Sequence, residues 1–142
     1  MQEQNFKNHT QIVYSYYIFT LLPTLALLVG AIINLYQSEI ENLYSASLIV
    51  LVAVILITII FRARSFALKA QDRAIRAEEA LRYYILTGKP LNPRLTITQI
   101  VALRFASNEE FPLLADRAVK EGLSNKEIKL QIKNWRPDTY RV

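Results

Sequence analysis

Few side chains in this sequence are suited to nucleophilic, acid–base or metal chemistry. The chain has no cysteine and one histidine, His9, which rules out thiol nucleophiles, thiolate metal sites and disulfides and leaves a histidine-based site without partners. The three glycines, Gly30, Gly88 and Gly122, are too scattered for a phosphate-binding loop or a dinucleotide-binding motif. We therefore expect no enzymatic activity, no cofactor, no metal and no small-molecule substrate.

Two pairs of adjacent carboxylates remain, Glu78 with Glu79 and Glu109 with Glu110. Consecutive residues of a helix point in different directions, so neither pair can share a site as acid and base. Both pairs indicate solvated helix surfaces.

Positive charge is confined to the second part of the chain. The net charge is +5, but residues 1–61 hold one lysine against three glutamates, so the excess lies in residues 62–142. We predict that five cations contact anionic lipid headgroups, each contributing about 1 kcal/mol near the bilayer. These are Arg62, Arg64, Lys69, Arg73 and Arg76. The alternative is that they only fix the orientation of the chain and otherwise face water.

A seam of small side chains runs through the same segment. Residues 62–86 contain no glycine or proline and predict one helix, which Gly88, Pro90 and Pro93 should end. The seam repeats at alternating spacings of 4 and 3: Ala63, Ala67, Ala70, Ala74, Ala77 and Leu81, continuing to Tyr84. Such a seam allows close helix approach, either to a copy of the same helix, which we favour, or to the C-terminal helices of the same chain.

Two apolar segments precede this helix and would position it. Residues 48–61 read LIVLVAVILITIIF, whose insertion into a bilayer is favoured by at most roughly 4–7 kcal/mol. Residues 43–61 would form about 28 Å of helix, against about 30 Å of hydrocarbon. Residues 12–35 contain no ionisable side chain and form the other predicted span. The alternatives are a buried helix or strand of a soluble protein for the second segment and a cleaved signal peptide for the first.

The first span carries a proline and a mildly polar stripe. Pro23 cannot donate to the carbonyl of Phe19, which predicts a kink there that the hydroxyl of Thr20 or Thr24 could repair. The stripe of Thr20, Thr24 and Asn34 could line a narrow pore in an oligomer, although helix packing, aided by Ala26 and Gly30, is the favoured interpretation.

The distribution of charge predicts the orientation. The connector, residues 36–42, carries Glu39 and Glu41 but no lysine or arginine, whereas cations follow the second span directly. The positive-inside rule then predicts a multi-pass protein of the inner cell membrane with both termini cytoplasmic. The predicted segments are 1–11 (cytoplasmic), 12–61 (hairpin), 62–87 (juxtamembrane helix) and 88–142 (C-terminal subdomain).

The C-terminal subdomain is predicted to contain three helices. Three S/T-x-x-E/Q patterns, typical of capping boxes, begin at Thr96, Ser107 and Ser124, while Gly122 and Pro137 supply stops. The expected core is Ile97, Ile100, Val101, Leu103, Phe105, Phe111, Leu113, Leu114, Val119, Leu123, Ile128, Ile132 and Trp135. So small a core would be marginal alone, so we expect it to pack on the 62–86 helix or on a second protomer.

The last of these helices is predicted to be two-faced. Ile128, Ile132 and Trp135 share one side, and four cations lie on the other: Lys126, Lys129, Lys133 and Arg136. The basic side could simply be solvated, could dock on the anionic leaflet, or could enter a DNA groove as in a helix-turn-helix. Nucleic acid is the least favoured of these partners.

Residues 4–142, and above all residues 80–142, which begin ALRYYILTGKPLNPRLTITQ, resemble a domain-of-unknown-function family of small bacterial membrane proteins. The resemblance implies a two-span hairpin with a helical tail. It implies no catalytic or binding residues.

Together these features predict an all-α protein. A transmembrane helical hairpin continues through its second span into a long cytoplasmic helix, and a small three-helix C-terminal subdomain follows. The favoured function is a non-enzymatic, homo-oligomeric assembly or interaction platform at the cytoplasmic leaflet. The alternatives are an oligomeric ion channel lined by the first span and a membrane-tethered nucleic-acid binder.

Overall fold

The computed structural model describes residues 4–8 and 13–138, so His9 lies outside the described residues. These residues fold into helices, which confirms the all-α prediction. The helices are α1 (Tyr14–Tyr16), a π-helical turn (Tyr17–Leu21), α2 (Leu22–Gln37), a 3₁₀ turn (Ile40–Asn42), α3 (Leu43–Thr87), α4 (Ile97–Leu103), α5 (Phe111–Lys120) and α6 (Asn125–Gln131). The continuous stretches Tyr14–Gln37 and Ile40–Thr87 are both long and apolar enough to cross a membrane.

The chain divides into two compact units. The apolar unit is Ile12–Ala67, and the tail unit combines Met1–Gln11 with Leu68–Val142. The long helix α3 contributes to both units, and it confirms that the second apolar segment and the juxtamembrane helix form one element.

Small side chains are the buried ones in the apolar unit. Ala31 of α2 and Ala46 and Ala53 of α3 are buried, while large apolar side chains on both helices are exposed. Together with Ala46 and Ala53, the half-buried residues Val50, Ile57 and Ile60 repeat along α3 at spacings of 4, 3, 4 and 3. Buried alanines in α2 and α3 are typical of helices whose backbones approach closely.

The expected irregularity at Pro23 takes the form of a π-helical turn. This turn occupies Tyr17–Leu21, directly before α2, and Pro23 lies at the start of α2. The Thr24 hydroxyl donates to the carbonyl of Thr20 at 2.6 Å. This bond is made to the Thr20 carbonyl, so it does not replace the donor that Pro23 removes from the Phe19 carbonyl.

The long helix ends where the sequence predicts. Gly88 follows the last helical residue with φ +68°, a conformation that side chains with a Cβ rarely adopt, and its amide donates to the carbonyl of Tyr84 at 2.8 Å. Gly122 (φ +65°) ends α5 in the same way, and the following Leu123 amide bonds to the carbonyl of Ala118.

Two of the three predicted capping boxes are confirmed. Thr96 with Gln99 caps α4 and Ser124 with Glu127 caps α6, with both reciprocal hydrogen bonds present in each box. The third, at Ser107, is wrong: α5 begins at Phe111, and the carboxylate of Glu110 turns away to another segment. Only half of the box remains, because the Glu110 amide still donates to the Ser107 hydroxyl at 3.4 Å.

The core of the tail unit lies among α4, α5, α6 and one face of α3. Ile100, Leu103, Phe105, Phe111 and Ile128 are almost completely buried. Ile75 and Tyr83 of α3 join this core, as expected for packing on the juxtamembrane helix. Leu113 was wrongly predicted to belong to the core and is 72% exposed.

The last helix is shorter than predicted. It ends at Gln131, and Ile132 is already extended, so Lys133, Trp135 and Arg136 lie beyond it. The chain then runs in an extended conformation, with Trp135 bridged to Ala106 and the Arg136 amide donating to the carbonyl of Phe105 at 2.7 Å. The proposed two-faced helix with four aligned cations is therefore wrong. Tertiary hydrogen bonds replace the helical ones, and Pro137 disfavours helix at the residue before it.

Candidate functional site

The face of α3 that packs on the tail helices is organised by Glu79 and Arg82. Arg82 Nη1 lies 2.8 Å from Glu79 Oε2, and Arg82 Nη2 donates to the carbonyl of Ala106 at 2.6 Å. Arg82 Nε donates to Asn108 at 2.9 Å, and the guanidinium lies 4.6 Å from the centre of the Phe111 ring. One arginine thus connects α3 to the loop before α5 through charge, hydrogen bonds and a cation–π contact.

A second contact on this face comes from Tyr83, whose ring meets the Phe111 ring edge-on at 5.7 Å. Its hydroxyl donates to Asp116 Oδ1 at 3.4 Å. Burial, and then the neighbouring Asp116 carboxylate, raise the pKa of Tyr83 above its ordinary value. Tyr83 therefore stays neutral and serves to position α3 against α5.

The carboxylate of Glu110 holds the extended C-terminal segment in place. Its Oε2 accepts from the Lys133 amide at 3.1 Å, and its Oε1 accepts from the Asn134 amide at 3.2 Å. In return the Ser107 amide donates to the carbonyl of Asn134 at 3.1 Å. This role explains why Glu110 does not close the capping box predicted at Ser107.

The carboxylate pairs diverge, as predicted, but they are not simply solvated. Glu79 is 4% exposed and has Arg136 Nη1 3.5 Å from its Oε1, besides Arg82. Its neighbour Glu78 is exposed. Buried and ion-paired, Glu79 has a structural role that a single sequence pattern does not reveal. Across the described ranges, residues 4–8 and 13–138, no group of His, Asp and Glu is placed to hold a metal ion.

The part of the alanine seam that lies in the tail unit, from Ala70 to Leu81, faces away from the tail core. Ala63, Ala70, Ala74, Ala77 and Leu81 are exposed and Ala67 is half-buried. On the tail-unit part of α3, the seam lies about half a turn from Ile75, Glu79 and Tyr83, at 3.6 residues per turn. The second of the two predicted uses, packing on the C-terminal helices of the same chain, is therefore wrong, because those helices occupy the opposite face.

The exposed side of α3 also carries large apolar side chains. Leu81 is 60% exposed, Tyr84 55% and Ile85 72%. Together with Ala70, Ala74 and Ala77, they form what we call the exposed face of α3. Three large apolar groups on one helix face, outside the most apolar stretch of α3, are more than scattered surface residues.

The cations of α3 do not all share one environment. Arg62, Arg73 and Arg76 are exposed. Arg64 is half-buried, with its guanidinium 4.9 Å from the centre of the Tyr16 ring, in the apolar unit. Lys69 is exposed, but it also interacts with another residue of the chain. Arg62, Arg73 and Arg76 are thus the cations most open to an anionic partner.

The polar stripe of the first apolar helix is divided by the packing. Thr24 is half-buried on the same side as Ala31, whereas Thr20 and Asn34 are exposed. Gly30 is open on its side-chain side, and Ala26 is exposed. The helix packing within the apolar unit therefore uses Thr24 and Ala31 and leaves Thr20, Asn34 and the pair Ala26 and Gly30 on the outside.

The tail cations are separated as well. Lys126 and Lys133 are exposed on different elements, and Lys129 lies 5.7 Å from the centre of the Phe105 ring. Arg136 is engaged with Glu79. With α6 only seven residues long, these cations do not form the continuous basic helix face that a recognition helix would present.

A comparison with known proteins assigns the chain to a family. No curated protein and no solved structure matches the chain. The match to a family covers the entire sequence, residues 1–142, in agreement with the resemblance carried by the tail. The chain belongs to DUF6526, a family of unknown function.

Proposed function

We propose that this protein is a membrane-anchored, homo-oligomeric platform for assembly or interaction at the cytoplasmic leaflet of the inner membrane, without enzymatic activity. The observation that carries the proposal is the exposed face of α3, which is apolar and lies opposite the face used by the tail core. The helix presents this face on a segment that directly follows a run able to span a bilayer.

Support for the membrane anchor comes from exposure within the apolar unit. Only 6% of the most apolar stretch of Tyr14–Gln37 is buried, and 11% of that of Ile40–Thr87. The core helix of a soluble protein would be mostly buried, and so much contiguous apolar surface is uncommon on soluble monomers. Hydrocarbon is the solvent in which these side chains are stable when exposed.

Aromatic side chains near both ends of the helices support the same placement. Tyr14 is 68% exposed at one end, and Tyr36 (91%) and Tyr44 (75%) are exposed beside the connector. Amphipathic rings prefer the depth of the lipid headgroups. On the Tyr14 side, Arg64 and Tyr16 make a cation–π contact, which would place a cation at the cytoplasmic interface.

Anionic lipid is the partner that the exposed cations fit. Arg62 directly follows the second apolar segment, where a cation would meet headgroups, and Arg73 and Arg76 follow within 15 residues on the same helix. Lipid retained by the purified protein tests this: we expect anionic lipid to be enriched, and enriched less after Arg62→Gln, Arg73→Gln and Arg76→Gln. Equal retention of zwitterionic and anionic lipid would rule out the partner.

Measurement of the mass of the solubilised protein tests whether it is an oligomer. In mild detergent, the full-length protein should have the mass of two or more copies. Ala70→Glu and Ala74→Glu should each shift it to one copy, because a carboxylate would be desolvated in the interface. Arg76→Glu is the matched control, since it places the same carboxylate on α3 away from the seam, and it should leave the mass unchanged. A wild-type protein that is monomeric, with neither alanine variant having any effect, would refute the assembly.

A further inference from the structure

The exposed face of α3 is bordered by opposite charges. Arg73 directly precedes Ala74 of the seam, and Glu78 directly follows Ala77. Both side chains are exposed, and within residues 4–8 and 13–138 neither has an ion-pair partner. The face therefore has a cationic edge on one side and an anionic edge on the other.

The spacing of these two charges matches one particular arrangement of helices. In the seam, Ala70, Ala77 and Tyr84 occupy one set of heptad positions, and Ala67, Ala74 and Leu81 occupy the other. Arg73 and Glu78, which are five residues apart, then occupy positions that flank the seam on either side. In a parallel two-stranded coiled coil, the flanking residue of one helix lies beside the residue five positions later on its partner. Two copies of α3 side by side in the same direction would form Arg73–Glu78 pairs in both directions across the interface.

We infer that the partner covering the exposed face of α3 is a second copy of this chain, packed as a parallel coiled coil over residues 70–85, with Arg73 of each copy paired to Glu78 of the other. This inference rests on the proposed membrane-anchored assembly, because copies inserted in the same orientation present α3 in the same direction. Antiparallel packing would place Arg73 near another Arg73 and Glu78 near another Glu78, and like charges would oppose it.

The packing of the tail leaves room for this dimer. Ile75, Glu79 and Tyr83 hold the tail helices on the other side of α3, so the tail core does not cover the exposed face. Alanine at three core positions allows the two backbones to approach closely, and Leu81 and Tyr84 supply larger apolar contacts at the C-terminal end. Ile85, 72% exposed beside Tyr84, would be covered at the edge of the same interface.

Cysteine cross-linking of the full-length protein in lipid vesicles tests the direction of the helices. The chain has no cysteine, so each single substitution gives an unambiguous signal. In a parallel pair, equivalent core positions meet within the roughly 4.4–6.8 Å between Cα atoms that a disulfide allows. Ala74→Cys and Ala77→Cys should each form dimers on oxidation, and Arg76→Cys, exposed on α3 but outside the face, should form few.

Charge reversal then tests the pairing. On the Ala77→Cys background, Arg73→Glu or Glu78→Arg alone should weaken dimerisation by about three- to tenfold, because each puts two like charges together, and the double reversal should restore it. Cross-linking at Ala74 and Ala77 that does not respond to charge would overturn the Arg73–Glu78 pairing but leave the assembly intact. Oligomers whose Ala74 and Ala77 cysteines do not cross-link would overturn the parallel coiled coil alone. Monomers throughout would overturn both this inference and the proposed assembly.

Discussion

Arg82 and Glu79 form an ion pair of 2.8 Å whose side chains are only 11% and 6% exposed. The same carboxylate has Arg136, from beyond the last helix, at 3.5 Å. The Glu79 carboxylate thus binds arginines that are far apart in the sequence. Its pair with Arg82 anchors the tail helices on the side of α3 opposite the exposed face. Disrupting it should therefore loosen the tail and leave the seam itself unaltered.

Glu79→Gln should lower the free energy of unfolding of the tail by about 3 kcal/mol, because Arg82 and Arg136 lose a buried counter-charge. Trp135 is the only tryptophan and its ring centre lies 5.1 Å from that of Phe105, so its fluorescence during denaturant unfolding of the solubilised protein reports on the tail. The exposed pair Arg117–Glu121 supplies the control, and Glu121→Gln should change little. Equal effects of the two substitutions would argue against the anchoring role of Glu79.

Glu110→Ala should release the extended C-terminal segment. The amides of Lys133 and Asn134 lose their acceptor, which we expect to cost about 1–2 kcal/mol of tail stability and to shift the emission of Trp135 to the red. Glu109→Ala, at the exposed neighbouring position, is the matched control. Unchanged emission in Glu110→Ala would mean that other contacts hold the segment.

Acid should destabilise the tail through Glu127, the carboxylate of the capping box of α6. Hydrogen bonds from the Ser124 hydroxyl and then the Ser124 amide lower the pKa of Glu127 below its ordinary value of 4.5. A carboxyl with a lowered pKa in the folded state stabilises the fold above its unfolded pKa, and this contribution is lost as the pH falls through the folded pKa. The denaturant midpoint should drop between about pH 5 and about pH 3, and the drop should be smaller in Glu127→Gln. An unchanged pH profile in that variant would contradict the assignment.

The orientation of the chain can be read by labelling single cysteines in intact cells. Glu41→Cys, in the connector, should react with a membrane-impermeant maleimide from outside. Lys120→Cys, exposed on α5, should react only after lysis, because arginines next to a span are retained in the cytoplasm. Labelling of Lys120→Cys in intact cells would reverse the proposed topology.

Local signals in the sequence predicted much of this fold. The boundary of α3 follows from Gly88, and the starts of α4 and α6 follow from Thr96 and Ser124, since these features depend on nearby backbone groups alone. The end of α6 did not follow. Its apolar spacing continues to Trp135, but the Glu110 carboxylate, the Ser107 amide and the Phe105 carbonyl, all over 20 residues earlier, take the hydrogen bonds that would extend it.

The sequence predicted the exposed face of α3 in part. The spacing of the alanines identified the face of α3, because a heptad pattern depends only on the helical period. Both uses of that face agreed with the spacing, and the burial of Ile75 and Tyr83 on the other side of α3 contradicts the use in packing on the C-terminal helices. Glu79 was missed since its carboxylate looks like that of Glu78 in the sequence, and the partners that bury it lie in other elements.

Partition of the full-length protein between membrane and water tests the membrane anchor directly. Because exposed apolar side chains cover Tyr14–Gln37 and the first part of α3, we expect the protein to remain in the membrane pellet after washing with alkaline carbonate. Only detergent should release it. Recovery of the folded chain from the aqueous fraction without detergent would show that these helices do not anchor the protein in a membrane.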